Sequence, residues 1–515
     1  MSTTNAWSEG YVSEIGYTYG YYTEMNPLRS RLALLNHGIV PPPVLGNACE
    51  LAFGQGISVA VHAAASPIQW HGTDFNPGQA AFAQELVENS GSDAKLYDQS
   101  FEEFCRRDDL PDFDFIGLHG IWSWISPENQ ACIVDFLKRK LKVGGLLYIS
   151  YNTLPGWSAF APMQHLMAQH EQTLGSGGFG VIQRIEQALG FVDRLLATNP
   201  IYARANPQIP ERLKKLKEQN KQYLAHEYFN RHWYPMHFAT LANSKQAAKL
   251  DFACSAHYLD SVDNINLTQD QLTLMREIQD PIFAQTVRDF MVNQQFRRDY
   301  WVKGVRKLSV LEQSEQLASV RVLLNVPRED VSLRATGSLG QADMNEKIYA
   351  PVLDLLGDHK PRTLGEIVEA MRPHNINQAQ VLSVAMVLSG TGQLAHAQES
   401  AVIAKCKKQT DKLNRHLMRK SRTSGDINVL ASPVTGGGFN TGRFQRLFAM
   451  AYSDGLREAS EWAKFTWDIL RAQGQRILRD GKAIESEEDN LAELNAQAET
   501  FKTKTLPILK ALSIV

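Results

Sequence analysis

Apolar and polar positions follow two rhythms along this chain. Between residues 41 and 160, short apolar runs alternate with amphipathic stretches. The runs predict strands at about 46–52, 69–73, 94–97, 113–118 and 145–151. A helix fits 56–65. A second fits 127–142, where Cys132, Ile133, Phe136, Leu137 and Leu141 recur at helical spacing. Ser126 is its expected N-cap and Pro127 its first residue, and "KVGG" ends it. Strand–helix alternation of this kind predicts an α/β fold with a parallel, doubly wound, Rossmann-like sheet.

Outside that stretch the rhythm changes. Residues 1–40 are rich in tyrosine, end in a helical pattern and form an expected lid segment. Residues 161–330 read as a mostly helical domain. Residues 335–400 read as winged-helix-like, from "NEKIYAPVLDLLG", "TLGEIVEAM", "NQAQVLSVAMVLSG" and the strand "QLAHA". Residues 401–515 read as a helical C-terminal domain that opens on a basic stretch, 405–422. A chain of 515 residues is too long for one core, in keeping with this division.

Composition narrows the function classes. The net charge of -2 and the 21% of charged residues give no global pull toward nucleic acid or anionic lipid. The expected recognition helix, "NQAQVLSVAMVLSG", has no Lys or Arg to read bases, so that module is expected to dock protein. Cys49, Cys105, Cys132, Cys254 and Cys406 lie far apart with no C-x-x-C pair, which argues against a disulfide framework or a zinc site. "HEYFNRH" brings His226, Glu227 and His232 together but is not H-E-x-x-H, and a packed amphipathic helix is the expectation there. No metal is expected. The N-terminus lacks a signal-peptide pattern and no apolar run reaches about 18 residues, so a cytoplasmic protein without a membrane span is expected.

The chemistry concentrates at the C-terminal ends of the predicted strands, where open α/β sheets bind ligands. "ELAFGQG" follows the first strand. A dinucleotide fingerprint would need glycine at position 59, which is Val59, and a phosphate-binding G-K-[S/T] is also absent. The stretch matches the methyltransferase pattern E-x-G-x-G-x-G except that Ala52 holds the first glycine position. Glu50 suits a ligand with a positive end. Gly54 and Gly56 allow the backbone close to a bulky ligand. Ala52 has a small Cβ and tolerates negative φ, so ligand binding is expected to survive the departure. Asp74 and Phe75 end the second strand, and a carboxylate there can accept from both ribose hydroxyls. Asp98, Ser100 and Phe101 follow the third strand, where an adenine would lie. His119, Trp122 and Trp124 follow the fourth, and Tyr151, Asn152 and Trp157 the fifth. Together these favour adenosine binding.

"ELAFGQG", "GTDFNP", "LHGIWSWIS" and "YISYNTLPGW" resemble the class I S-adenosylmethionine-dependent methyltransferases with a methyltransferase regulatory domain, among them the rickettsial-type outer-membrane-protein lysine methyltransferases. "YTYGYYTEMNP", "YLAHEYFNRHWYPMHF" and "ASPVTGGGF" extend the likeness over most of the chain. The resemblance implies S-adenosylmethionine as cofactor and methyl transfer to lysines of a protein substrate, such as a cell-envelope protein, with a homodimer as one possible assembly. A lysine acceptor must arrive neutral, and an aromatic pocket of Tyr17, Tyr19, Tyr21, Trp122, Trp124, Tyr151 and Trp157 would disfavour its ammonium. Asn152 could orient the amine and His119 accept its proton. A small-molecule or glycan methyltransferase, or a non-catalytic adenosine-binding protein, stays open at this level. The basic stretch is expected to be a solvated face or an arm for an acidic partner.

Overall fold

A computed structural model describes residues 17–175, 179–230, 232–479 and 481–515, so residues 1–16 of the expected lid lie outside the described residues. β1 (Asn47–Leu51), β2 (Gln69–Thr73), β3 (Lys95–Tyr97), β4 (Phe113–Leu118) and β5 (Leu141–Asn152) are parallel and coincide with the five predicted strands. Two further strands, β6 (Leu250–Ser255) and β7 (Phe296–Lys303), complete the order β3-β2-β1-β4-β5-β7-β6. β7 runs antiparallel to both of its neighbours. β6 and β7 lie within the stretch expected to be mostly helical, and periodicity does not anticipate them. The reason is in β7 itself: "FRRDYWVK" carries Arg297 and Asp299 at buried positions. There Asp299 pairs with Arg297 at 2.9 Å, and Arg297 reaches Asp289 at 2.6 Å. A strand whose inward residues are charged does not show the apolar run of an interior strand.

The helices beside the first strands have plain local causes. In α1 (Pro27–Asn36), α3 (Pro77–Ser90) and α5 (Pro127–Lys140) a proline opens the first turn behind an Asn or Ser cap. Asn76 Oδ1 accepts from the amides of Gly78 and Gln79, and Gly91 ends α3 in the left-handed region. Every residue of α2 (Ile57–Ala65) is buried. α4 (Phe101–Cys105) starts from a Ser100–Glu103 capping box.

The accessory regions fix the edges of the site. Trp157, Phe160, Met163, Ile185, Leu213 and Leu224 form the core of a helical unit that ends in the helix Lys221–Tyr228. Further on, the helices Glu346–Leu356, Leu364–Met371 and Gln378–Gly390 lie where three were expected, beside a small antiparallel sheet of Arg362–Thr363, Arg321–Leu324 and Leu394–His396. The basic stretch is the helix Ser400–Lys420, which lies against α2 and α3. Part of its charge is used internally: Lys407 pairs with Asp411, and Lys420 and His416 reach Glu85 at 2.9 and 3.1 Å. Among the described residues no helix is long and apolar enough to cross a membrane.

The N-terminal segment is tied down from three directions. Tyr22 N donates to Ser58 Oγ at 2.9 Å, Asn26 Nδ2 to the Thr435 carbonyl at 3.0 Å, and Tyr300 Oη to the Glu24 carbonyl at 2.6 Å. Glu24 pairs with Arg298 of β7, and the Arg29 and Arg298 guanidiniums hold its carboxyl down at about 2 despite burial.

Candidate active site

The loop after β1 shapes the site. Ala52 N donates to the Thr73 carbonyl at 2.8 Å, and Gly54 N donates to Asp74 Oδ2 at 2.9 Å. The loop turns through three left-handed residues: Ala52 (φ 58), Gly54 (φ 56) and Gly56 (φ 70). Ala52 thus takes a positive φ, although alanine tolerates negative values. The close tie of Ala52 to Thr73 holds it in a region that costs an L-residue roughly 1–2 kcal/mol. Gly56 lines neither of the two cavities over the strand ends. A Cβ there would overlap Ala83 of α3, so its glycine is set by helix packing rather than by a ligand. Gly56→Ala should therefore cost about 3 kcal/mol in urea unfolding, from strain plus overpacking. Gly54→Ala should cost less, because its Cβ would meet only Tyr17 at 3.4 Å and Gln79 at 3.8 Å. Ala52→Gly should raise stability by up to about 1 kcal/mol. Equal losses at Gly54 and Gly56 would refute this division.

Two cavities open over the C-terminal ends of β1 to β4. One, of about 600 Å³, is lined by Asp74, Phe75, Gln99, Phe101, Ile121 and Trp124 among others. The second, of about 580 Å³, is lined by Tyr17, Tyr22, Glu50, Gly54, Gln79 and His119 among others. They share Ala52, Asp74, Phe75 and Ile121. The first is a slot between apolar walls. The second is polar and runs toward the N-terminal tyrosines.

Burial sets the protonation of the two acids between them. Glu50 is pushed up to about 8 by burial and then by the charge of Asp74. Asp74 is pushed up to about 7 by burial, against the amides of Asn76 and Gly54, which favour its carboxylate. Among the described residues Glu50 Oε2 is buried with no hydrogen-bond partner. An orphaned buried carboxyl oxygen facing a cavity fits a cationic ligand group. Each oxygen of Asp74 accepts one amide and keeps a further lone pair for a ligand hydroxyl. A ligand with an ammonium at one end and a ribose diol beside it, as in S-adenosylmethionine, fits this donor set.

Glu50, Ala52, Gly54, Asp74, Phe75, Ser100, Phe101, His119, Tyr17 and Trp124 all line one or both cavities. The hydroxyl of Ser100 is committed to its capping box with Glu103. His119 is stacked on Tyr22 at 3.5 Å, and its Nδ1 lies 2.8 Å from Tyr148 Oη. Burial pushes it down to about 4, so it is neutral near pH 7 and a weak proton acceptor.

Other expectations are corrected. Asp98 is exposed and lines neither cavity; its neighbour Gln99 does. Tyr151 is fully buried and donates to Asp299 Oδ2 at 2.8 Å, within the Arg297 ion-pair network. Trp157 is in the core of the helical unit, edge-on to Trp233 at 5.0 Å and beneath Arg212. Trp122 is buried under Lys245, whose Nζ is 3.1 Å from its ring centroid and whose ammonium form burial disfavours. Asn152 is buried, its main-chain amide donates to Ser123 Oγ at 2.9 Å, and it lines neither cavity. Tyr19 packs on Phe82, and Tyr21 is held by His62 and the hairpin glycines 437 and 438. A strand end places alternate side chains on opposite faces of the sheet, and here the far face took Tyr151.

Sequence reading missed Tyr22, Gln99, Ile121 and His232, all of which line the cavities. His232 stood in the "HEYFNRH" stretch, whose unusual density of polar groups was the available signal.

Known proteins agree with this architecture. Residues 220–303 match the family described as "Predicted methyltransferase regulatory domain". The chain is 39% identical over 512 residues, 99% of each protein, to the uncharacterized protein sll1526 of Synechocystis sp.. It is 23% identical to the uncharacterized protein RP789 of Rickettsia prowazekii over 94% of this chain and 90% of that one. Among solved structures, PKMT2 from Rickettsia typhi in complex with AdoHcy superposes with a TM-score of 0.68 at 17% identity, covering 94% of this chain and 98% of that one. With its seven-stranded sheet and its regulatory segment, the chain belongs to one family with sll1526, carries the methyltransferase regulatory domain and has the fold of the class I methyltransferases.

Proposed function

We propose that the protein transfers methyl groups from S-adenosylmethionine to lysine side chains of a protein. The observation that carries the cofactor is the unpartnered Glu50 Oε2 in a cavity shared with Asp74. Glu50 would take the α-ammonium of the cofactor and Asp74 its ribose hydroxyls. The slot between Phe75, Phe101, Ile121 and Trp124 would take the adenine. PKMT2 of Rickettsia typhi was solved with AdoHcy, the demethylated form of this cofactor, which supports the same reading. When bound, the cofactor would supply a sulfonium methyl as the electrophile for an acceptor's lone pair.

The chain's own part is to position and desolvate. Tyr17, Tyr22 and His119 wall the end of the second cavity, where a neutral amine is favoured over an ammonium. The large accessory region, of which His232 reaches the first cavity, favours a macromolecular acceptor over a small one. Incubation with labelled S-adenosylmethionine and cell-envelope protein, followed by mass spectrometry, tests this. Label on lysine nitrogen is expected. Label on a carboxylate, hydroxyl or sugar would remove lysine as acceptor and leave the methyltransferase reading standing.

A further inference from the structure

The helix Ser400–Lys420 carries its exposed cations in one row. Lys405, Lys408, Lys412, Arg415 and Arg419 are all exposed and follow one another at spacings of three, four, three and four. Residues at that spacing share one helix face. At 1.5 Å per residue the row is about 21 Å long. The helix has one acid, Asp411, and Lys407 pairs with it. Among the described residues none of the five is in an ion pair. Like charges three and four residues apart destabilise a helix, so the row stands at a cost that an anionic partner would relieve. Its position has a direction. Gln409 Nε2 donates to the Gly91 carbonyl at 3.4 Å, at the C-terminal end of α3. Lys420 and His416 reach Glu85, and Lys420 Nζ is 4.8 Å from the Phe82 ring centroid. Phe82 packs on Tyr19 of the N-terminal segment at 5.3 Å, and Gln79, one turn earlier in α3, lines the second cavity. The two helices therefore run antiparallel, and the row leads from the far end of α3 toward the second cavity.

We propose that this row is a docking track for an acidic segment of the acceptor protein, which it guides along α3 toward the second cavity. This rests on the protein-acceptor reading above. Two other polyanions fit the row less well. A helix that lies on an anionic membrane needs an apolar face to insert, and here Cys406, Leu413, Leu417 and Met418 are buried inside the fold. A single-stranded nucleic-acid site sets aromatic platforms among its cations. This helix has no Phe, Tyr or Trp, and its His416 is turned to Glu85. Peptide carboxylates need only the cations. Exposed charges of one sign also speed encounter with a partner of the other sign and set its orientation.

Fluorescein-labelled oligoglutamate of about ten residues is the probe, long enough to span the row at about 3.3 Å per residue. Anisotropy should show binding to the full chain that weakens at least about tenfold as ionic strength rises from about 0.05 to 0.5 M. Lys408→Glu, Lys412→Glu and Arg415→Glu together should weaken it at least about tenfold, because three attractions become repulsions. Affinity for S-adenosylhomocysteine should stay within about twofold, which also reports that the variant is folded. The same change of net charge at three exposed lysines off the row, Lys214→Glu, Lys464→Glu and Lys482→Glu, should leave oligoglutamate binding within about twofold. Oligoglutamate should also suppress labelling of cell-envelope protein by the wild-type chain. Equal losses in the two triple variants would overturn the proposal, as would DNA or phosphatidylglycerol vesicles that bind at least as tightly as oligoglutamate. A wild-type chain that labels envelope protein equally well with and without oligoglutamate would overturn it too. Failure of the wild-type chain to bind S-adenosylhomocysteine would instead overturn the cofactor reading, a result independent of oligoglutamate binding.

Discussion

Asp74→Ala should weaken S-adenosylhomocysteine binding by about a hundredfold or more. Two ribose hydroxyls each donating to a carboxylate contribute roughly 1.5–3 kcal/mol apiece. The side chain has a second duty, because its oxygens accept the amides of Gly54 and Asn76 and so hold the glycine turn against β2. Alanine removes both roles. Asp74→Asn separates them: its remaining carbonyl oxygen can still accept from Gly54, while the charge and one acceptor are gone. That variant should keep the fold and lose about tenfold in affinity. Titration calorimetry of both variants decides the matter. If Asp74→Asn binds as the wild type does and only Asp74→Ala fails, Asp74 serves the loop and does not touch the ligand.

The pH dependence of binding should be steep and rise toward the alkaline side. Burial pushes Glu50 up to about 8 and Asp74 up to about 7, whereas the proposed ligand needs both as carboxylates. Binding must then expel protons below these values. Affinity for S-adenosylhomocysteine should fall about tenfold as pH drops from 8 to 7, and more steeply below 7 as the second acid joins. Calorimetry in buffers of different ionisation enthalpy should register protons released on binding. The free protein shows the opposite trend. Both folded values lie above those of an unfolded carboxyl near 4, so the native state holds extra protons between about pH 4 and 8. Stability from these groups is present below about 4 and is lost as pH rises through 7 and 8. Glu227, pushed up to about 8, adds to the same slope. The rise in melting temperature caused by S-adenosylhomocysteine should therefore be larger at pH 8.5 than at pH 6. An affinity that stays flat from pH 6 to 8.5 would show that neither acid changes protonation on binding.

The parallel half of the sheet was legible because each of its strands is a short apolar run ended by a turn signal. Its helices begin at caps that a reader can find, such as Asn76-Pro77 and Ser126-Pro127. The two strands that complete the sheet were not legible. β7 carries Arg297 and Asp299 inward, and these are tolerable only because Asp289 and Tyr151, distant in sequence, meet them there. Periodicity cannot anticipate a charge that is neutralised by a tertiary partner.

The candidate site divides in the same way. The sequence by itself determined that an acid, a glycine turn and a second acid follow consecutive strands, because that chemistry is local: Glu50, Gly54 and Asp74 lie within or just after β1 and β2. Only the tertiary structure decided which aromatic groups face the cavities. Trp157 and Tyr151 went to cores, while Tyr22 and His119 were stacked together at the cavity wall. It also decided that a segment before the sheet and a helix after it, Tyr17 to Tyr22 and Lys221–Tyr228, meet over the same opening. An aromatic side chain gains similar free energy from burial in a core or in a cavity wall, so composition does not distinguish the two. The distinction comes from which surfaces long-range packing leaves uncovered.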